Sequence, residues 1–186
     1  LVINGVECEP YLTSDHRTMV EHPKAVIDGI HILNHFIKAE KAFIGIENNK
    51  PDAIKLLTEG AKESGYPIEV IPLKVKYPQG AEKMLITAIL DKEIPNGKLP
   101  IDVESVVSNV SSIAALSAWF REGKPLIERV VTVTGSAIKM PTNVLVPIGT
   151  SMKEVVSFCG GLIQNEISML LGGPMMGMVQ RSLHIP

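Results

Sequence analysis

The chain has 186 residues, with 18 lysines and arginines against 20 aspartates and glutamates, a formal charge of −2 and 45% hydrophobic residues, enough to bury a core. So near-neutral a balance excludes the dense positive surface that displaces counterions from phosphates, and neither DNA nor RNA is an expected partner. Two cysteines, Cys8 and Cys159, exclude a disulfide framework and the four thiolates of an iron–sulfur cluster, so any cluster is expected outside this chain.

Leu1-Val2-Ile3 reads as a first short strand and resembles the interior of a fold, so a soluble segment excised from a longer protein is expected. No apolar run approaches the roughly 20 residues of a membrane span. Val26, Ile30, Leu33 and Ile37 form one helical stripe, predicting a helix near residues 23–38. Residues 42–46 read as a second strand. Pro51 suits a first helical turn, Ile54, Leu57 and Ala61 share a face, and Gly65 stands where a C-terminal cap belongs. A third strand follows at 68–75, then a helix at 80–90, a fourth strand at 103–107 and a helix at 111–121 ended by Gly123. Strands alternating with amphipathic helices predict an α/β fold, a Rossmann-like parallel sheet with helices on both faces.

After Pro125 the pattern changes. Residues 130–134 and 144–146 read as two hairpin-like strands around a Gly-Ser turn. Ser151 and Glu154 have capping-box spacing for a short helix to Phe158. Gly160-Gly161 ends it, a strand resumes at 167–171, and Gly172 to Gly177 forms a turn-rich close. These elements predict a small α+β module of β-grasp type at 125–186, after a first domain at 1–124.

In an open parallel sheet, ligands collect beyond the carboxyl ends of the strands. Here those ends carry Asn4 to Pro10, Glu47-Asn48-Asn49, Lys76 to Glu82 and Ser108 to Ser112. Asparagine amides suit the edge of a flavin or purine, and N–H groups after Gly80 with the hydroxyls of Ser111 and Ser112 suit a phosphate. Each residue also has a structural reading: Asn4-Gly5 as a turn, and Asn49, Ser111 and Ser112 as helix caps. Glu7 and Glu9 would repel a bare phosphate, so they are expected to face a ribityl, ribose or ring edge, or to lie in an exposed loop. His31 and His35 have the i, i+4 spacing of helical metal ligands, but their polar neighbours predict a solvated face and no metal site. Cys8 and Cys159 lack the spacing of a redox pair, and Met175-Met176 reads as filling under a Gly-rich turn.

The segments LVINGVECEPYLTSDHRTM, KVKYPQGAEKMLITAIL and VESVVSNVSSIAAL, with GKPLIERVVTVTG and LLGGPMMGM, together resemble the RnfC family, the C subunits of the Rnf ion-translocating ferredoxin:NAD oxidoreductase. More distantly the chain is similar to the flavin-binding subunit of respiratory complex I, and more closely to RnfC-like reductases of propanediol utilisation and proline reduction, whose pathways are alternatives for it. The resemblance implies an FMN-binding Rossmann-like domain followed by a soluble-ligand-binding β-grasp (SLBB) domain. By the motif N-A-D-E-G-E-P it implies that Asn4 and Glu7 contact flavin and that Glu9 lies near the nucleotide, with Val6 replacing the motif's Asp. By Y-x-C-G-E-E-T it implies that Tyr77, Gly80 and Glu82 line the same pocket, with Ala81 and Lys83 departing from the pattern. By V-N-N-V-E-T it implies Asn109, Ser108 and Ser112 near the FMN phosphate.

The family's glycine-rich loop lies upstream of the first motif and its 4Fe-4S motifs downstream, so the isolated segment is expected to hold FMN weakly and to be inactive in NADH oxidation. The intact protein is expected to pass electrons between NAD(H), FMN and the clusters, peripheral to the cytoplasmic membrane and partnered by other subunits of the complex. The alternative is a noncatalytic scaffold that docks a ligand or partner.

Overall fold

The computed structural model describes residues 1–164 and 168–183. The chain forms two compact units, one of Leu1–Cys8 with Asp15–Pro125 and one of Glu9–Ser14 with the chain from Leu126 onward.

In the first unit, strands β1 (Val2–Gly5), β2 (Ala42–Glu47), β3 (Ile68–Leu73) and β4 (Val107–Asn109) form one sheet in the order β3-β2-β1-β4, and every pairing is parallel. Helices α2 (Pro23–Ile37), α3 (Pro51–Ser64), α4 (Glu82–Leu90) and α5 (Val110–Glu122) connect the strands or follow them. Successive residues of a strand point to opposite faces. Ile3, Ile44 and Ile46 accordingly pack with Val26 and Ile30 of α2, Leu57 of α3 and Ile113 of α5. Val2 and Leu73 pack on the other face with Val6 and with Leu85 of α4. Helices therefore cover both faces, the doubly wound arrangement that the alternation predicts. The helices α2 and α5 meet at Gly29, where a Cβ would lie 2.1 Å from the Ile113 carbonyl oxygen, so only glycine allows this approach. Outermost strand β3 carries Pro72.

Local chemistry explains the element boundaries. Pro23 and Pro51 occupy the first helical positions of α2 and α3, where the missing N–H is harmless and φ is already helical. Gly65 ends α3 with a φ of 65°. Buried Asn34 ends α2 by exchanging hydrogen bonds with the backbone of Ala39.

Three readings change. An unanticipated helix, α1 (Ser14–Glu21), buries only Thr18 and Met19, too narrow a stripe to announce itself by periodicity. The expected strand at 103–107 is a 3₁₀ turn at Pro100–Val103, closed by the Asp102 carboxylate on the Leu99 N–H, and the strand begins at Val107. The solvated face expected for His31 is half-buried: its ring lies 4.6 Å from that of Tyr66, and its Nε2 is buried without a hydrogen-bond partner.

The second unit contains two antiparallel pairs, β5 (Glu128–Val133) with β6 (Thr142–Pro147) and β7 (Met169–Leu171) with β8 (Met178–Gln180). Helix α6 (Met152–Phe158) opens with the expected capping box, Ser151 Oγ accepting from the Glu154 N–H while the Glu154 carboxylate accepts from the Ser151 N–H. The Ser151 hydroxyl also donates to that carboxylate at 2.7 Å, and this bond first, then the one from the Ser151 N–H, lowers the Glu154 pKa. Cys159, 1% exposed, follows the helix, and burial raises its thiol pKa. The expected strand start at Ile167 lies outside the described residues.

Candidate functional site

The strand order reverses between β1 and β4, which lie side by side although their crossovers run outward in opposite directions. Such a switch point opens a crevice at the carboxyl ends of the strands. Asn4 and Asn109 are register partners there.

Asn4 ties two loops together. Its Nδ2 donates to the Gly80 carbonyl at 2.9 Å, while its Oδ1 accepts from the Val6 N–H at 3.1 Å. The Gly80 N–H in turn donates to Cys8 Sγ at 3.4 Å. A Cβ at Gly80 would stand 2.6 Å from the Val6 carbonyl, so the approach of the two loops requires glycine. Beside it Gln79 is buried, Tyr77 is 37% exposed, and Glu82 lies exposed in the first turn of α4, where its charge suits the helix dipole.

Asn109 is the N-cap of α5. Its Oδ1 accepts from the Ser111 and Ser112 N–H groups at 2.9 and 3.3 Å, and its Nδ2 donates to Asp15 at 2.8 Å. Ser111 Oγ donates to the other Asp15 oxygen at 2.5 Å and lies 3.2 Å from Thr18 Oγ1. Ser108 and Ser112 are half-buried on the same edge. Asn109 thus fills the capping role, and the two N–H groups it engages belong to Ser111 and Ser112, the residues whose hydroxyls the sequence offers to a phosphate.

Glu7 accepts from the backbone N–H groups of Asp15 and His16 at 2.9 and 3.2 Å. Its carboxylate therefore sits on the N-terminus of α1, where orphan donors and the helix dipole compensate a negative charge. His16 reaches Asp52 at 2.8 Å, a hydrogen bond that lowers the Asp52 pKa. Glu47, at the end of β2, and Lys50 form a buried ion pair.

The edge therefore brings together Asn4, Glu7, Gly80, Ser108, Asn109 and Ser112, with Tyr77 and Glu82 on the loop and helix start beside Gly80. Glu9 belongs to the second unit. Sequence reasoning missed Asp15 and His16, although Asp15 sits where an acidic first-turn residue marks a helix start. Among the described residues no three His, Cys, Asp or Glu side chains form a metal-binding group.

A family model described as the Nuo51 FMN-binding domain matches residues 1–118. The chain belongs to this family. Residues 130–179 match a second model, that of the SLBB domain, so the Nuo51-type domain is followed by an SLBB domain. Across its whole length the chain is 48% identical to the C subunit of the proton-translocating ferredoxin:NAD(+) oxidoreductase complex of Clostridium ljungdahlii and covers 40% of that protein. It is 42% identical, again over all of this chain, to the C subunit of the Na(+)-translocating ferredoxin:NAD(+) oxidoreductase complex of Acetobacterium woodii, covering 42% of it. The chain thus spans about two fifths of the length of these relatives, and the RnfC resemblance carried by its motifs agrees with them. The crystal structure of an NAD+-reducing [NiFe]-hydrogenase in the air-oxidized state shares the fold, with a TM-score of 0.78 at 19% identity over 92% of this chain and 34% of the other. Among the described residues no helix is long and apolar enough to cross a membrane.

Proposed function

We propose that this Nuo51-type domain and its SLBB domain are the flavin-holding part of an RnfC-type subunit that transfers electrons between NAD(H) and iron–sulfur clusters by way of FMN. The clusters belong to other segments of the whole protein, which works with the other subunits of a membrane-associated, ion-translocating complex. The observation that carries this reading is the gathering of three separated sequence motifs at the carboxyl edge of β1 and β4 in a family defined by FMN binding.

Glu7 does not oppose FMN at this edge. An acidic loop beside a phosphate is unfavourable, yet the Glu7 carboxylate is engaged by two helix N–H groups, which removes most of that objection. When bound, FMN supplies two-electron exchange with a nicotinamide and one-electron exchange with clusters.

The chain's own residues hold and orient it. Asn4 fixes the loops after β1 and β3 against one another, Gly80 lets those two loops meet, and Tyr77 and Glu82 border the ring's place beside them. Ser108 and Ser112 offer hydroxyls to the ribityl and phosphate groups, and Asn109 sets their positions by starting α5. The test is flavin retention by the full-length protein, read as absorbance after dialysis. Asn4→Ala loses a half-buried amide that joins the two loops and is expected to weaken FMN binding about 5- to 150-fold. Retention equal to that of the unaltered protein would overturn the assignment.

A further inference from the structure

Within the second unit, six residues of the first motif region, Glu9–Ser14, run as a strap. Its first residue carries a carboxylate whose Oε2 accepts from the Met175 N–H at 3.0 Å and whose Oε1 accepts from the Met176 N–H at 2.9 Å. Two successive backbone N–H groups converging on one carboxylate make an anion-binding concavity. The turn that aims them is built from glycine. Gly172 and Gly173 have φ of 102° and 96°; a Cβ on Gly173 would lie 2.6 Å from the Glu9 carboxylate, and one on Gly177 would lie 2.1 Å from the Gly173 carbonyl. The Gly177 N–H closes the turn onto that carbonyl at 2.9 Å. At the far end of the strap, the Thr13 N–H donates to Thr132 Oγ1 at 3.1 Å and Thr13 Oγ1 accepts from Asn143 Nδ2 at 2.9 Å.

We infer that Glu9 is a latch: its carboxylate is the internal ligand of the Gly172–Gly177 cradle and fixes the course of the strap, in place of the nucleotide contact that the family resemblance implies. Charge-assisted hydrogen bonds to paired N–H groups are about twice as strong as neutral ones. They hold a turn whose Met175 and Met176 are 53% and 77% exposed, so these side chains do not fill the space beneath it as the sequence suggests; the backbone bonds to Glu9 support it instead. In the chain the strap follows Cys8 and precedes Asp15.

The latch requires no cofactor, so its test is independent of the flavin reading. Amide hydrogen exchange of the full-length protein without FMN should find the Met175 and Met176 N–H groups protected at least about tenfold over an unstructured chain despite their exposure. Glu9→Ala should abolish that protection while the Leu171–Met178 ladder keeps its own. Acetate should restore part of it, whereas chloride at equal ionic strength should not. Unprotected Met175 and Met176 in the unaltered protein would overturn the latch, whatever the variants do. So would protection that appears only when FMN is added, which would mark Glu9 as a cofactor contact.

Discussion

Asn109 joins the end of β4 to the start of α5, and Asn109→Ala removes both of its connections. The helix loses the acceptor that satisfies two first-turn N–H groups, a change that costs about 0.5–2 kcal/mol. Asp15 loses the amide donor and keeps Ser111 Oγ; one hydrogen bond to a half-exposed carboxylate contributes about 1 kcal/mol after solvent screening. The sum is about 1.5–3 kcal/mol, or a fall in melting temperature of roughly 3–12 °C at this chain length. Thermal denaturation without FMN is the decisive assay, because the loss is then independent of flavin. Asn109→Ser, which keeps a capping oxygen and gives up the donor to Asp15, should recover about 1 kcal/mol of the loss. A cofactor-free Asn109→Ala protein that melts within about 1 °C of the unaltered chain would refute the capping account, and any flavin defect would then come from direct contact.

Gly29→Ala places a Cβ against the Ile113 carbonyl oxygen and should cost at least about 1–3 kcal/mol in urea denaturation by forcing α2 from α5; an unchanged midpoint would show that the two helices can separate freely. His31→Ala removes a half-buried ring in tilted contact with that of Tyr66, so calorimetry should show a loss of about 0.5–1.5 kcal/mol, where a solvated histidine would show almost none. Asp28 accepts from Arg121 and Ser117, and the Arg121 hydrogen bond is the main cause of its lowered pKa. A lowered carboxylate pKa stabilises the fold above the ordinary value near 4 (about 3.9 for Asp) and ceases to do so as pH falls through the folded value. Asp28→Asn should therefore be less stable than the unaltered chain at neutral pH, by under about 1 kcal/mol because Arg121 is well exposed, with the gap closing in acid. A gap that widens in acid would reverse the assignment.

The legible parts of this fold are those whose determinants are local. Pro51, the stripe Ile54, Leu57, Ala61 and the glycine after Ser64 define α3 without outside help, and Ser151 with Glu154 does the same for α6. Helix α1 was illegible because its N-terminus is satisfied by Glu7, seven residues before Ser14, a dependence that no window pattern contains. The fourth strand was displaced because valine and isoleucine at 101–107 fit a strand as well as a 3₁₀ turn, and the deciding contact is the Asp102 carboxylate on the Leu99 N–H. For the edge, position was legible and role was not. Topology alone gathers strand ends, whereas choosing between cap and ligand for Asn109 depends on where its amide points. Glu9 differs again: its partners are 166 and 167 residues away, and sequence adjacency to Glu7 suggests a shared task that the chain path does not impose.

Pro72 bears on how this sheet behaves among other proteins. The border strand β3 turns one row of backbone groups away from β2, and such a row is a template on which a foreign strand can grow. Proline has no N–H to offer, and it stands one residue before the Leu73 carbonyl that takes the Asn48 N–H on the inner side, so the missing donor falls on the outward side. An incoming strand would find the ladder interrupted there, and near its other end would meet Glu69 in its ion pair with Lys41. The outward ladder of β3 is thereby broken, and crowding many copies of the chain together does not invite edge-to-edge polymerisation through it.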